Sequence, residues 1–437
     1  MKEKMRAFMR QKDLKKKALF TVFMLLLVRF GSQLQIPGVN RDYFSQWFSQ
    51  QNKTGALNII SAFTGGSFER MSVFALNITP YITASIIIEL LSIAIPSLEE
   101  MQRDGENGRK KMVRITRYLT AGLSLMESVA MAIGFGRSGL LEGNMFISGM
   151  CTVITLVAGS AFVMWIGELI NDRGIGNGIS IVLLINIISS IPQDITGLFE
   201  QFVIGKTIAK GILAAAVIIM VIVGTVILTV IVNDATRKIP VNYAPKTRGS
   251  MVSGVNGSGI PLKVNTAGVI PVIFASSLFA IPQIVLSLIG KNPGGAAGRA
   301  LQFVNQGAWF RRGDMLPTIG FAVYCLLIIF FAYFYTSITF NPIEVADNLR
   351  KQGATIPGIR AGQATIQYLR KVLDGIIFIG AIMLIAVVAI PAIAGGLFNT
   401  NVSFGGTSLI IIVGVVLETI QSIDAQLAVR TYKGFLG

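Results

Sequence analysis

The sequence predicts an all-α polytopic membrane protein, and three observations carry that expectation. Of 437 residues, 52% are hydrophobic and only 14% charged, against roughly a quarter charged in soluble domains. Apolar runs approaching the roughly 20 residues needed to cross a hydrocarbon core recur along the whole length. Lys and Arg cluster in alternate connecting segments, the asymmetry that orients membrane proteins.

Ten spans are expected, at residues 18–36, 72–95, 118–136, 146–170, 178–192, 208–232, 268–290, 316–340, 372–394 and 405–429. The first follows a basic segment, residues 1–17, and resembles a signal peptide in outline. Its long apolar run, the Arg29 within it and the absence of a small-residue cleavage site before Ile36-Pro37-Gly38 predict that it is retained. With the amino terminus inside, inner segments carry 27 Lys and Arg and outer ones 10, which places both termini in the cytoplasm. The outer stretch 290–317, with Lys291, Arg299, Arg311 and Arg312, runs against that bias.

Three spans differ from lipid-facing helices. The second contains Asn77, Thr79, Pro80, Tyr81, Thr83 and Ser85, the fifth is short and holds Asn186, and the seventh contains Pro271, Ser276, Ser277 and Pro282. Polar and helix-interrupting residues at membrane depth are tolerated where they face protein or a water-filled cavity, so these spans are candidates for lining a pathway; packing through small and polar residues is the alternative. Residues 59–71 are too short and polar to cross and too apolar for an exposed loop, the pattern of a re-entrant segment. Residues 233–266 and 341–370 are rich in Gly, Pro and basic residues and are expected to be exposed docking projections without a fold-sized apolar pattern, able to meet anionic lipid, RNA or an acidic protein face. Glu89, Glu168, Glu418 and Asp424 fall near the cytoplasmic ends of their spans, whereas Arg29 and Glu127 lie deeper and are expected to pair with another helix.

Chemistry is mostly excluded. Histidine is absent, removing the commonest general base and metal ligand. Cys151 and Cys325 stand alone, without metal-ligand spacing. No phosphate-binding GxxxxGK[ST] loop occurs, and Gly174-Ile175-Gly176-Asn177-Gly178 joins two spans as a turn. No catalytic residue, metal or cofactor is expected.

Several stretches resemble the SecY family of protein-conducting channels. They are Asn77-Ile78-Thr79-Pro80-Tyr81-Ile82-Thr83-Ala84-Ser85-Ile86 in the second span and the basic loop Gly105-Glu106-Asn107-Gly108-Arg109-Lys110-Lys111 after it. Further along come Asp172-Arg173-Gly174-Ile175-Gly176-Asn177-Gly178, Pro261-Leu262-Lys263-Val264-Asn265, Phe274-Ala275-Ser276-Ser277, Ile356-Pro357-Gly358-Ile359-Arg360 and Gly405-Gly406-Thr407-Ser408-Leu409. The resemblance implies one channel domain made of two inverted, pseudo-symmetric five-helix halves, residues 18–192 and 208–429, closing like a clamshell around an hourglass pore. It implies a pore ring of Ile82, Ile86, Ile179, Leu183, Ile273 and Ile411, and a plug at about 59–71 that includes Ser61, Phe63, Gly65, Gly66, Phe68 and Arg70. A lateral gate would lie between the second and third spans and the seventh and eighth, with Thr83, Ser85, Ile86, Ser276, Ser277 and Gln283 lining it.

Cytoplasmic docking is assigned by the same likeness to Arg109, Lys110, Lys246, Arg248, Arg350, Lys351 and Arg360, although Ser250 and Met251 stand after Gly249, where the family often has a basic pair. The implied partners are the small membrane subunits SecE and SecG, the SecA motor ATPase, a ribosome with its nascent chain, signal-sequence-bearing polypeptides and anionic lipids, at the bacterial plasma membrane. A secondary transporter of a small solute or ion is the alternative, but it needs polar groups converging at mid-depth, and the ring positions are aliphatic.

Overall fold

The computed structural model describes residues 11–51, 61, 63–202, 208–243, 258–289, 299, 303–304, 309–310, 316–398 and 406–433. In chain order the first half comprises α1 (Lys12–Gly31), α2 (Arg41–Gln51), α3 (Thr79–Ala94), α4 (Pro96–Arg103), α5 (Gly105–Arg137), α6 (Met145–Arg173) and α7 (Gly178–Phe202). The second comprises α8 (Ile208–Asp234), β1 (Thr236–Tyr243), β2 (Ser258–Lys263), α9 (Ile270–Ile289), α10 (Leu316–Thr339), α11 (Pro342–Lys351), β3 (Ala354–Thr355), α12 (Gln363–Phe398) and α13 (Gly406–Lys433).

Ten of these helices overlap the ten expected spans. Among the described residues seven are long and apolar enough to cross a membrane on their own, and the pair α3 and α4, bent by 108°, makes an eighth. The other two are α1, whose first turns carry Lys12, Lys15, Lys16 and Lys17, and α9, whose described apolar stretch is Ile270–Phe279. The bend follows from Pro96, which excludes helical geometry from the residue before it.

The halves repeat one packing pattern. In the first, α3 packs on α5, α5 on α6, α6 on α7, and α1 on both α6 and α7. In the second, α9 packs on α10, α10 on α12, α12 on α13, and α8 on both α12 and α13. An odd number of spans per half enters the second half from the opposite side of the membrane, so the repeat is inverted. The halves meet along two seams, α9 against α3 and α5 on one side, and α7 against α8 and α13 on the other.

Two expectations are corrected. Residues 105–111, read as a basic loop, are the first turns of α5. Their Glu, Lys and Arg residues are good helix formers, and Lys110 pairs with Glu106 one turn earlier at 2.8 Å. The described parts of the segments 233–266 and 341–370, expected to lack a fold-sized apolar pattern, fold together. β1 pairs antiparallel with β2, Ile239 opposite Ile260, and its far end pairs with β3, Asn242 opposite Thr355. This sheet and α11 bury a small core of their own, including Ile239, Val241, Leu262, Leu349, Ile356 and Leu369. Pro240 and Pro261 hide the strand alternation in the sequence; Pro240 is tolerated because β3 pairs only beyond it, at Asn242 and Tyr243.

Candidate pore ring, plug and seam

The largest buried cluster spans both halves, and the six ring positions all belong to it. Ile86, Leu183, Ile273 and Ile411 are at most 7% exposed, while Ile82 and Ile179 are partly buried against the same cluster. They come from four helices, two per half: α3, α7, α9 and α13. The spacings Ile82 to Ile86 and Ile179 to Leu183 set each pair on one helix face. Phe63 of the re-entrant segment packs partly buried onto this cluster.

The re-entrant segment is held in two ways. Phe68 is buried with Phe44 and Phe48 of α2. Its ring meets theirs edge-on at 6.2 and 6.0 Å, and Phe44 in turn meets Phe135 of α5 at 5.3 Å; such pairs contribute roughly 0.5–1.5 kcal/mol each beyond burial. The second hold is polar. Arg29 Nη1 of α1 donates to the Gly65 carbonyl at 3.3 Å, Ser189 Oγ of α7, whose shorter bond runs to the Asn186 carbonyl at 2.7 Å, lies 3.4 Å from the same oxygen, and Asn77 Nδ2 donates to the Thr64 carbonyl at 3.5 Å. Gly65 has φ +64°, and an added Cβ would lie 2.8 Å from Arg29 Nη1 and 2.9 Å from Asn186 Cα. Only glycine combines that backbone with that approach. Ser61 Oγ reaches Glu69 Oε2 at 3.5 Å, Gly66 is buried with φ +76°, and Arg70 is bonded to Gln33. The segment ends where Met71 and Val73 make backbone bonds with Ile36 and Leu34 just beyond α1.

Along the seam of α9 with α3 and α5, no side-chain hydrogen bond crosses among the described residues. Elsewhere on α3 and α5 the hydroxyls of Thr83, Thr116, Thr120, Ser124 and Ser128 each donate back to a carbonyl of their own helix. Ser276 is fully buried and bonds Tyr324 of α10 at 2.8 Å, within its own half. Ser85 and Ser277 are half-buried, and the Gln283 side chain lies outside the described residues. Arg109, Arg350, Lys351 and Arg360 are exposed, and Lys110 is engaged by Glu106. Lys246 and Arg248, like Lys291, Arg311 and Arg312, lie outside the described residues.

Sequence reasoning missed part of this site. Arg29 was expected to pair with another helix, yet its bond goes to a main-chain carbonyl of the re-entrant segment. Glu127 has no ion pair among the described residues; Glu168 has one, a two-pronged pair with Arg117 at 2.8 Å that ties α5 to α6. Among the described residues no group of three or more His, Cys, Asp or Glu could hold a metal.

Comparison with known proteins decides the family. The SecY family model matches residues 72–420. The chain belongs to the SecY family. It is 42% identical to the protein translocase subunit SecY of Streptomyces scabiei, over 97% of each chain. It is 39% identical to the same subunit of Mycobacterium bovis, over 98% of each. Among solved structures it is similar to a protein conducting channel at TM-score 0.62 and 19% identity, covering 95% of this chain and 93% of that one. It is also similar to Sec61 of the canine ribosome-channel complex at TM-score 0.58 and 19% identity, covering 95% and 93%. These distant likenesses concern the fold, the clamshell shared by SecY and Sec61.

Proposed function

We propose that the chain is the channel-forming subunit of the Sec translocon, passing unfolded secretory polypeptides across the membrane and releasing apolar segments sideways into the bilayer. The observation that carries this is the meeting of six aliphatic side chains from both halves in one buried cluster with Phe63 resting on it. Aliphatic side chains offer no hydrogen bonds, so a narrow collar of them stays dewetted and resists ions. Contact with them is non-directional, so they yield around any peptide without selecting its sequence. The naming of the close relatives as translocase subunits supports the same reading. A solute carrier is disfavoured, because the six ring positions are aliphatic and the close relatives are named as translocase subunits.

The plug reading gains from the lengths of its polar bonds. At 3.3 to 3.5 Å they exceed the usual 2.9–3.0 Å and are individually weak. The stretch around Thr64 and Gly65 is held by weak bonds to its backbone, while Phe68, Arg70 and Met71 anchor the far end of the segment, an arrangement that positions the plug and leaves it displaceable. The seam without crossing hydrogen bonds fits a lateral gate, since parting it orphans no described hydroxyl. The exposed Arg350, Lys351 and Arg360 sit on one folded cytoplasmic unit, a surface suited to a ribosome or to SecA. SecE and SecG as neighbours, the plasma membrane as location and cytoplasmic termini complete the proposal.

The test is site-specific crosslinking. A photoreactive residue in place of Ile86 or Ile273 is expected to form adducts with a stalled secretory precursor. If neither position does while a lipid-facing control labels lipid normally, the channel assignment fails.

A further inference from the structure

The polar groups that clasp the plug have a feature the closed state alone leaves unexplained. Both of their acceptors, Thr64 O and Gly65 O, are main-chain atoms. Beside them Asn186 is 0% exposed, and neither its Nδ2 nor its Oδ1 has a hydrogen-bond partner. A buried amide carries two donors and an acceptor, and leaving them unmade costs the full desolvation of the group. Asn186 follows the ring residue Leu183 by three residues on α7, and its Cα adjoins Gly65. The unpartnered amide therefore sits one helical turn past the collar, next to the donors that hold the plug.

We propose that Arg29, Asn77, Asn186 and Ser189 form a subsite for the backbone carbonyls of the translocating polypeptide, which the plug occupies when the channel is idle. This rests on the channel reading above. When the plug departs, the donors of Arg29 and Asn77 lose their acceptors beside an apolar collar, and the Ser189 hydroxyl is left with the Asn186 carbonyl on its own helix. An extended chain presents a carbonyl at each residue, about every 3.3 Å, and so supplies what the plug withdrew. Because the atoms recognised are common to all peptides, the subsite adds no sequence preference. Because the bonds are long, it grips without trapping, the condition for conduction through a binding site. Asn186, unpartnered against the plug, gains its partner only from the passing chain.

The experiment uses the complete channel complex in proteoliposomes. In a channel lacking residues 61–70 the subsite is free of its idle occupant, so adding Asn186→Leu with Ser189→Ala isolates the role toward substrate. Export of a precursor is expected to slow by roughly fivefold relative to the deletion alone, the factor for about one neutral hydrogen bond. Equal rates would overturn the subsite and leave the two residues as plug holders only. A second measurement keeps the full chain intact: a photoreactive residue at position 189 should label stalled precursors of unrelated sequence. Adducts from Ile86 and Ile273 positions but none from 189 would refute the subsite and spare the channel reading; none from any of the three would refute both.

Discussion

Replacing Ile411 by asparagine probes the collar where it is most enclosed. Ile411 is 0% exposed and shares its cluster with Ile86, Leu183 and Ile273. The substitution removes an aliphatic side chain whose full burial stabilises by roughly 1.5–3 kcal/mol, and introduces an amide that costs roughly 1–3 kcal/mol when buried without a partner. With partial relaxation, the closed collar loses about 3 kcal/mol relative to a hydrated one, a shift of about two orders of magnitude in their balance. Resting conductance of the purified complex in a planar bilayer should rise accordingly, and export of precursors with weakened signal sequences should improve. Ile420→Asn on the same helix, at a position 48% exposed, controls for asparagine in α13 and should leave conductance at the wild-type level. If Ile411→Asn folds, assembles and conducts no more than the control, the reasoning that places Ile411 in the seal is wrong.

Gly65→Val forces a β-branched residue into φ +64° and against Arg29 and Asn186; the left-handed backbone alone costs roughly 1–2 kcal/mol, so plug occupancy should fall about tenfold, read as transient ion leak, and unchanged leak would clear Gly65 of that role. Arg360→Glu reverses an exposed charge, so partner-driven export should drop while thermal stability stays as in wild type; normal export would remove Arg360 from the docking surface. Leu369→Ala empties a fully buried position in the core beneath the sheet at a cost of roughly 2–5 kcal/mol, so limited proteolysis should cut both of the segments 233–266 and 341–370 faster, and sensitisation of only one would argue against a joint fold.

What was legible in the sequence was whatever hydrophobicity alone determines. The spans announce themselves because the bilayer demands long apolar runs, and the helix ends that hydropathy misplaces are those built from Lys, Glu and Arg, as at the start of α5. The three-stranded sheet was hidden because Pro240 and Pro261 interrupt the alternation of Ile239, Val241, Ile260 and Leu262, and because its core draws on segments about a hundred residues apart. α2 lies between the first two expected spans and was not foreseen; its Phe44, Trp47 and Phe48 face one side at helical spacing, a signal too short to claim without Phe68 and Phe135 to receive it. In the plug clasp, Arg29 and Asn186 stood out as polar groups in apolar runs, but their target did not. A main-chain carbonyl has no signature in a sequence.

The weakly bonded seam of α9 with α3 and α5 has a consequence for the surrounding membrane. Since no side-chain hydrogen bond joins α9 to α3 or α5 among the described residues, surface contact holds α9 to its neighbours there, and acyl chains are as apolar as the side chains they would replace. Lipid therefore competes for those faces on nearly equal terms. The ease of parting then depends on the surrounding membrane, on its acyl packing and lateral pressure, as much as on the polypeptide, and a cell that remodels its lipids also resets its threshold for export.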